Sequence, residues 1–198
     1  MTCSVLLDLD GTLVDTYPGI WRIIGPPLEE IMQILLRSFG DDRVGEGVAI
    51  YRKHYGESGF LGSVPYPGIS KSLEEMKQAG LLIYLATSKR AIFANGILDH
   101  LKFTTHFNGI YGSGPNGELD HKPELLSHIL PKHGLSPSHG VMVGDRRYDI
   151  SGAHSVGMRS LGVLWGYGTR DELESAGADQ LVEFPADLAR AVLSMVCR

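Results

Sequence analysis

The sequence has no long hydrophobic run. Its longest apolar stretch, Leu81 to Ala86, is six residues, far short of the roughly 20 that a membrane-spanning helix needs. It has few cysteines: Cys3 and Cys197 sit at opposite ends of 198 residues, too few for a disulfide framework. It has no excess of positive charge, with 18 Lys and Arg against 23 Asp and Glu and a net charge of −5. No general attraction to nucleic acid is therefore expected. A small phosphorylated metabolite needs only local positive charge and is not excluded. No basic segment precedes Asp8, so no signal peptide is expected. Together these absences predict a reduced, cytoplasmic protein with no membrane and no nucleic-acid partner. What is abundant is glycine, 25 of 198 residues against a usual level of about 7%. That excess predicts many tight loops between short elements.

Short apolar runs alternate with helical patterns. Val5–Leu7, Leu81–Ala86, Val141–Val143 and Ser160–Leu164 read as strands, with Gly109–Tyr111 and Gln180–Val182 as weaker candidates. Continuous apolar runs of this length suit strands covered on both faces, as in a parallel sheet. Between them Ile69, Leu73 and Met76 line one helical face, as do Leu125, Leu126, Ile129 and Leu130, and Leu188, Val192, Leu193 and Val196. The alternation predicts an α/β fold: a doubly wound parallel sheet with right-handed crossovers. One gap breaks the rhythm, because Asp15 to Gly68 holds no convincing strand. Leu28, Ile31, Met32, Leu35, Leu36 and Phe39 predict one amphipathic helix there and Val44 to Tyr55 a second, with Pro18-Gly19 and Tyr66-Pro67-Gly68 as punctuation. The predicted organisation is a core of residues 1–14 and 69–198, with a small helical insertion of residues 15–68 after the first strand.

Four clusters at strand ends carry the chemistry. Asp8-Leu9-Asp10-Gly11-Thr12 follows the first strand, at the edge where open α/β sheets bind ligands. With a period of two, Asp8 and Asp10 face the same way, and Gly11 permits the sharp turn that follows. Two carboxylates that close repel unless a cation sits with them, and hard oxygen donors suit Mg²⁺. An ionised carboxylate needs no base to act as a nucleophile at phosphorus, and the second can serve as general acid and base. An EF-hand fails here, since that loop wants Gly at its sixth position and Glu at its twelfth, whereas Gly11 and Gly19 stand fourth and twelfth from Asp8. Thr87-Ser88-Lys89, at the end of the second strand and before a helix, offers a hydroxyl and backbone amides for phosphate. Lys122, before an amphipathic helix, is placed to neutralise phosphate and nucleophile charge. Asp145 and Asp149, after the Val141–Val143 strand, are placed to complete a metal site. Each of the last three has an ordinary alternative: a strand-ending hydroxyl, a solvated lysine, a helix-capping aspartate. Their strength lies in the set, which contains what phosphoryl transfer needs.

The order Asp8-x-Asp10-Gly11-Thr12, Thr87-Ser88-Lys89, Lys122, Gly144-Asp145-x-x-x-Asp149 resembles the haloacid dehalogenase superfamily over nearly the whole chain. It is most similar to the phosphoglycolate phosphatase-like branch, whose helical cap follows the first strand. The tail segment Gly162 to Gly168, with Glu172-Leu173 and Ala176 to Asp179, is also similar to that branch. The resemblance implies a Mg²⁺-dependent phosphatase working through an aspartyl phosphate. It implies Asp8 as nucleophile and metal ligand, and Asp10 as general acid/base that also gives its main-chain carbonyl to the metal. It implies Gly11, Thr12, Thr87 and the Ser88 amide as the phosphate cradle, Lys122 as the bridge between nucleophile and phosphate, and Asp145 and Asp149 as metal residues or their close support. One departure stands out: Leu13 to Ile23 is about one helix shorter than the branch usually has before a segment like Ile24 to Leu28. The shortened cap leaves substrate identity open. Phosphoglycolate is the substrate the resemblance implies, and a 5′-nucleotidase or a phosphosugar mutase would share the same core residues. A monomer or a homodimer fits equally.

Other features point elsewhere or nowhere. A receiver-like, non-enzymatic phosphoaspartate or phosphate-binding protein combines similar residues, but this chain is too long and its insertion has no place there. Gly112 to Gly117 matches G-x-G-x-x-G but runs into a loop and lacks the distant acid, so a turn is expected. The eight histidines have no zinc spacing, and His121, His128 and His133 are expected to be solvated. Arg22 and Arg52 are expected on solvated faces.

Overall fold

The computed structural model describes residues 2–16, 28–57 and 62–196. The central sheet has six strands: β1 (Ser4–Leu7), β4 (Leu82–Arg90), β5 (Gly109–Ser113), β6 (Gly140–Gly144), β7 (Arg159–Val163) and β8 (Gln180–Val182). They lie in the order β5-β4-β1-β6-β7-β8, every pair parallel. The sequence expectation of a doubly wound parallel sheet is what the structure has. The chain winds outward from β1 through β4 to β5, then returns beside β1 at β6 and winds the other way. The order therefore reverses between β1 and β6, the switch point where such sheets open a ligand crevice.

Alternation along the strands sorts the two faces. Val5, Leu7, Ile83, Leu85, Val141 and Val143 face α3 (Ile69–Gln78), α4 (Ala91–His100) and α8 (Leu188–Val196). Leu6, Tyr84, Ala86 and Met142 face α5 (Lys122–Lys132) and α6 (Arg147–Ser155). The large side chains here, among them Leu6, Ile83, Leu85 and Leu125, are fully buried, each worth about 1.5–3 kcal/mol of transfer free energy. A short helix, α7 (Arg170–Ser175), precedes β8.

Beyond β1 the chain forms a short ribbon, β2 (Val14–Asp15) with β3 (Val64–Pro65), which pairs Val14 with Pro65 and Asp15 with Val64. Between those strands lie α1 (Leu28–Arg37) and α2 (Val44–Glu57). They pack on each other, and Arg52 Nη2 on α2 meets Glu29 Oε1 on α1 at 2.7 Å. Pro18-Gly19, Arg22, Ile24 to Pro27 and Cys197 lie outside the described residues. Cys3 Sγ donates to the Val196 carbonyl. No helix among the described residues is long and apolar enough to cross a membrane.

Three expectations need correction. Phe39 is not on the α1 face: the helix ends at Arg37, the chain turns through Gly40 at φ 69°, and Phe39 is 83% exposed. The second strand does not stop at Ala86. After a register shift between Ala86 and Arg90 it runs on to pair Arg90 with Ser113, so Thr87-Ser88-Lys89 lies inside the end of β4, just ahead of α4. His133 is half-buried rather than solvated: its Nε2 meets the Tyr111 hydroxyl at 2.6 Å and its ring packs on Tyr84. Gly114 to Gly117 forms the expected turn, closed by the Gly117 N–H on the Gly114 carbonyl.

Candidate active site

Asp8 directly continues β1, and its N–H donates to the Val143 carbonyl at 2.9 Å. It projects on the Leu6 side, where α5 and α6 pack. Lys122 opens α5 there and is only 4% exposed. Its ammonium reaches Asp8 Oδ1 at 3.0 Å, Asp149 Oδ1 at 2.7 Å and the Ala86 carbonyl at 2.7 Å. A Lys ammonium has three donors, so all three are used and one nitrogen ties β1, β4 and α6 together. Gly152 on α6 lets this happen, since a methyl there would lie 2.7 Å from Lys122 Cγ.

Asp145 follows β6 and is fully buried. Its Oδ2 accepts the Tyr167 N–H at 2.7 Å, while Oδ1 has no hydrogen-bond partner among the described residues. Carboxylate oxygens of Asp8, Asp145 and Asp149 lie within 4.8 Å of one another. Burial pushes the Asp8 carboxyl up to about 7, with Lys122 opposing and the Asp149 and Asp10 charges adding. Burial, then the Asp149 and Asp8 charges, push Asp145 well above the usual carboxylate range. Burial works against the Lys122 ammonium, but the Asp149 and Asp8 carboxylates outweigh it and hold its pKa above the ordinary lysine value. Two of the three clustered carboxylates thus share one ammonium, and the third, Asp145, keeps a buried oxygen with no partner among the described residues. A compact divalent cation with hard oxygen ligands answers both problems, so the donor set fits Mg²⁺.

Asp10 lies apart from that triad: Lys89 Nζ holds its Oδ1 at 3.2 Å. Gly11 turns the chain at φ 78°, and a methyl on it would collide with Asp145 and Tyr167. Thr12 and Thr87 are buried, and the Thr87 hydroxyl accepts the Lys89 N–H at 3.2 Å. The fold therefore brings Asp8, Lys122, Asp145 and Asp149 into direct contact or near it. Thr87 stands next to Ala86, which Lys122 touches. Sequence reasoning missed the Lys89–Asp10 pair and the Tyr167 amide on Asp145. The first had a signal, a lysine in the Thr87 cluster; a main-chain donor has none.

A family model described as haloacid dehalogenase-like hydrolase matches residues 19–163, a range that begins past the Asp8–Thr12 motif. A 5′-nucleotidase of Pseudomonas aeruginosa is 37% identical over 209 residues, which cover 94% of this chain and 92% of that one. Those 209 aligned positions exceed the 198 residues of this chain, so the relative carries extra residues inside the matched region. A phosphoglycolate phosphatase of Aquifex aeolicus is 29% identical over 204 residues, 94% of each chain. Among solved structures, a predicted phosphatase from Clostridium acetobutylicum superposes with a TM-score of 0.87 at 30% identity, covering 98% of this chain and 100% of that one.

Proposed function

Since the chain belongs to the haloacid dehalogenase-like hydrolase family and is a phosphatase, we propose that it cleaves a small phosphate monoester through an aspartyl phosphate on Asp8. The observation that carries this is the buried Lys122 ammonium bridging Asp8 and Asp149, beside Asp145 with its unpartnered oxygen. Asp8, Asp145 and Asp149, with the main-chain carbonyl of Asp10, would hold Mg²⁺. When bound, that ion offsets the carboxylate charge and polarises the phosphoryl group.

The protein's own steps follow from position and charge. An Asp8 carboxylate oxygen attacks phosphorus, and the P–O bond to the leaving group breaks in line. Asp10, anchored by Lys89, gives its proton to the departing alkoxide. It then takes a proton from the water that attacks the phosphoaspartate, so that free phosphate leaves and Asp8 is restored. Thr87 and the Ser88 amide hold the phosphoryl oxygens, and Lys122 exchanges its bond to Asp8 for one to the phosphoryl group as that carboxylate attacks, the positioning on which this chemistry depends. Residues 15–68 serve as the cap over the site.

For the substrate, one observation favours a nucleoside 5′-monophosphate over phosphoglycolate. The 5′-nucleotidase relative is more similar than the phosphoglycolate phosphatase, 37% against 29%. A phosphate-release panel of 5′-nucleotides, phosphoglycolate and a hexose 1-phosphate, with and without Mg²⁺, tests both levels. The expected result is Mg²⁺-dependent release with kcat/KM about tenfold or more higher on a 5′-nucleotide, a difference of roughly 1.4 kcal/mol. Preference for phosphoglycolate overturns the substrate reading alone. An isomerised sugar phosphate without free phosphate, or no release from any ester, overturns the phosphatase reading.

A further inference from the structure

The segment from Trp165 to Glu172 takes no part in the chemistry above, yet it lies against it at several points. Trp165 Nε1 donates to the Thr12 carbonyl at 3.0 Å. The Tyr167 N–H holds Asp145 Oδ2, while its phenol donates to Asp15 Oδ1 at 3.0 Å and accepts the Thr16 N–H at 2.9 Å. Gly166 and Gly168 allow this approach, since a methyl at either would collide with Asp145. Thr169 then caps α7, its Oγ1 accepting the Glu172 N–H at 3.1 Å, and so fixes the turn that carries Glu172.

Glu172 Oε1 accepts from Arg146 Nε at 2.9 Å and from the Arg147 main-chain N–H at 3.0 Å. Those two residues begin the turn between Asp145 and Asp149. Arg146 also binds Asp149 with its backbone: its N–H donates to Asp149 Oδ2 at 3.2 Å, and its carbonyl accepts the Asp149 N–H at 3.0 Å. The Arg146 and Glu172 side chains are 12% and 21% exposed, unlike the solvated pairs whose contribution is near zero. One carboxylate oxygen thus clamps the turn that spaces two of the three acids.

We propose that Glu172 is a positioning residue for the cation site: through Arg146 and the Arg147 amide it sets the spacing of Asp145 and Asp149. This rests on reading Asp8, Asp145 and Asp149 as the cation's ligands. Mg²⁺ demands near-ideal octahedral geometry, and loss of a partner behind the ligands typically costs about 10–100-fold in metal affinity.

The test is direct Mn²⁺ binding to the full chain without substrate, followed by electron paramagnetic resonance, with thermal melts in chelator alongside. Glu172→Ala is expected to weaken Mn²⁺ binding about 10–100-fold while the chelator melt moves only a few degrees. Glu172→Gln keeps an acceptor oxygen for both donors and is expected to retain most of the affinity. Asp145→Asn is expected to lose binding. Wild-type affinity in Glu172→Ala, with binding lost in Asp145→Asn, overturns the clamp and leaves the cation site standing. No Mn²⁺ binding by the wild type, or unchanged binding by Asp145→Asn, overturns the cation site itself. Should Glu172→Ala fail to fold, Arg146→Gln removes one of the two contacts. A several-fold weaker affinity then supports the clamp, and an unchanged one overturns it.

Discussion

Asp8→Asn is expected to abolish phosphate release from every ester, by at least about 10⁴-fold in kcat, as loss of a covalent nucleophile does. The amide has the carboxylate's shape but is not a nucleophile toward phosphorus. The fold is expected to survive, because burial already pushes the Asp8 carboxyl up to about 7 and a neutral side chain suits that position. Without Mg²⁺, the variant is expected to melt at or above the wild-type temperature near neutral pH. Phosphate release and thermal melts in chelator check both halves. An Asn variant with a tenth or more of wild-type activity removes Asp8 from the chemistry.

Lys122→Ala is expected to damage activity less than Asp8→Asn and stability far more. Removing one donor aimed at developing oxyanion charge costs about 10²–10³-fold in kcat. The stability loss has a separate cause. Asp8 and Asp149 stay buried with their shared ammonium gone, and breaking a buried charge pair from one side costs roughly 3–5 kcal/mol. Because the folded state raises the lysine's pKa, its contribution is complete below the unfolded value of about 10.4 and is lost only as pH rises through the folded one. The lysine itself adds no pH dependence between pH 7 and pH 8.5, but the Asp8 carboxyl, at about 7 with Lys122 opposing the rise, ionises there, so the deficit of the variant is expected to grow from pH 7 to pH 8.5. Added Mg²⁺ is expected to recover part of it by supplying positive charge to the same acids. Urea melts with and without Mg²⁺ measure this. A variant as stable as wild type in chelator contradicts the charge account.

The sheet was legible because burial on both faces leaves an unmistakable trace. Val5 to Leu7 and Val141 to Val143 are unbroken apolar runs, the first followed by Asp8 and the second by Gly144-Asp145, and they became adjacent strands flanking the switch point. The convergence of Asp8, Lys122, Asp145 and Asp149 was legible as a set, since nothing but a shared crevice gives four strand-end clusters one chemistry. What escaped was pairing that needs three dimensions. Thr87 to Arg90 reads as a strand's polar exit, but pairing with β5 extends the strand through it. His133 looks like a solvated helix end until Tyr111 and Tyr84 close on it. The Tyr167 amide and the Glu172 carboxylate act on an acidic turn more than 20 residues away, and no local pattern encodes such a contact.

A phosphoryl group passing through Asp8 forms an intermediate that can be trapped. An acyl phosphate is reduced by borohydride to an alcohol, so an enzyme quenched during turnover should carry homoserine at position 8. Peptide mapping by mass spectrometry reads the position directly. The predicted result is homoserine at position 8, dependent on substrate and on Mg²⁺, with Asp10, Asp145 and Asp149 unchanged. An enzyme that turns over substrate yet shows reduction at another aspartate, or at none, contradicts the account.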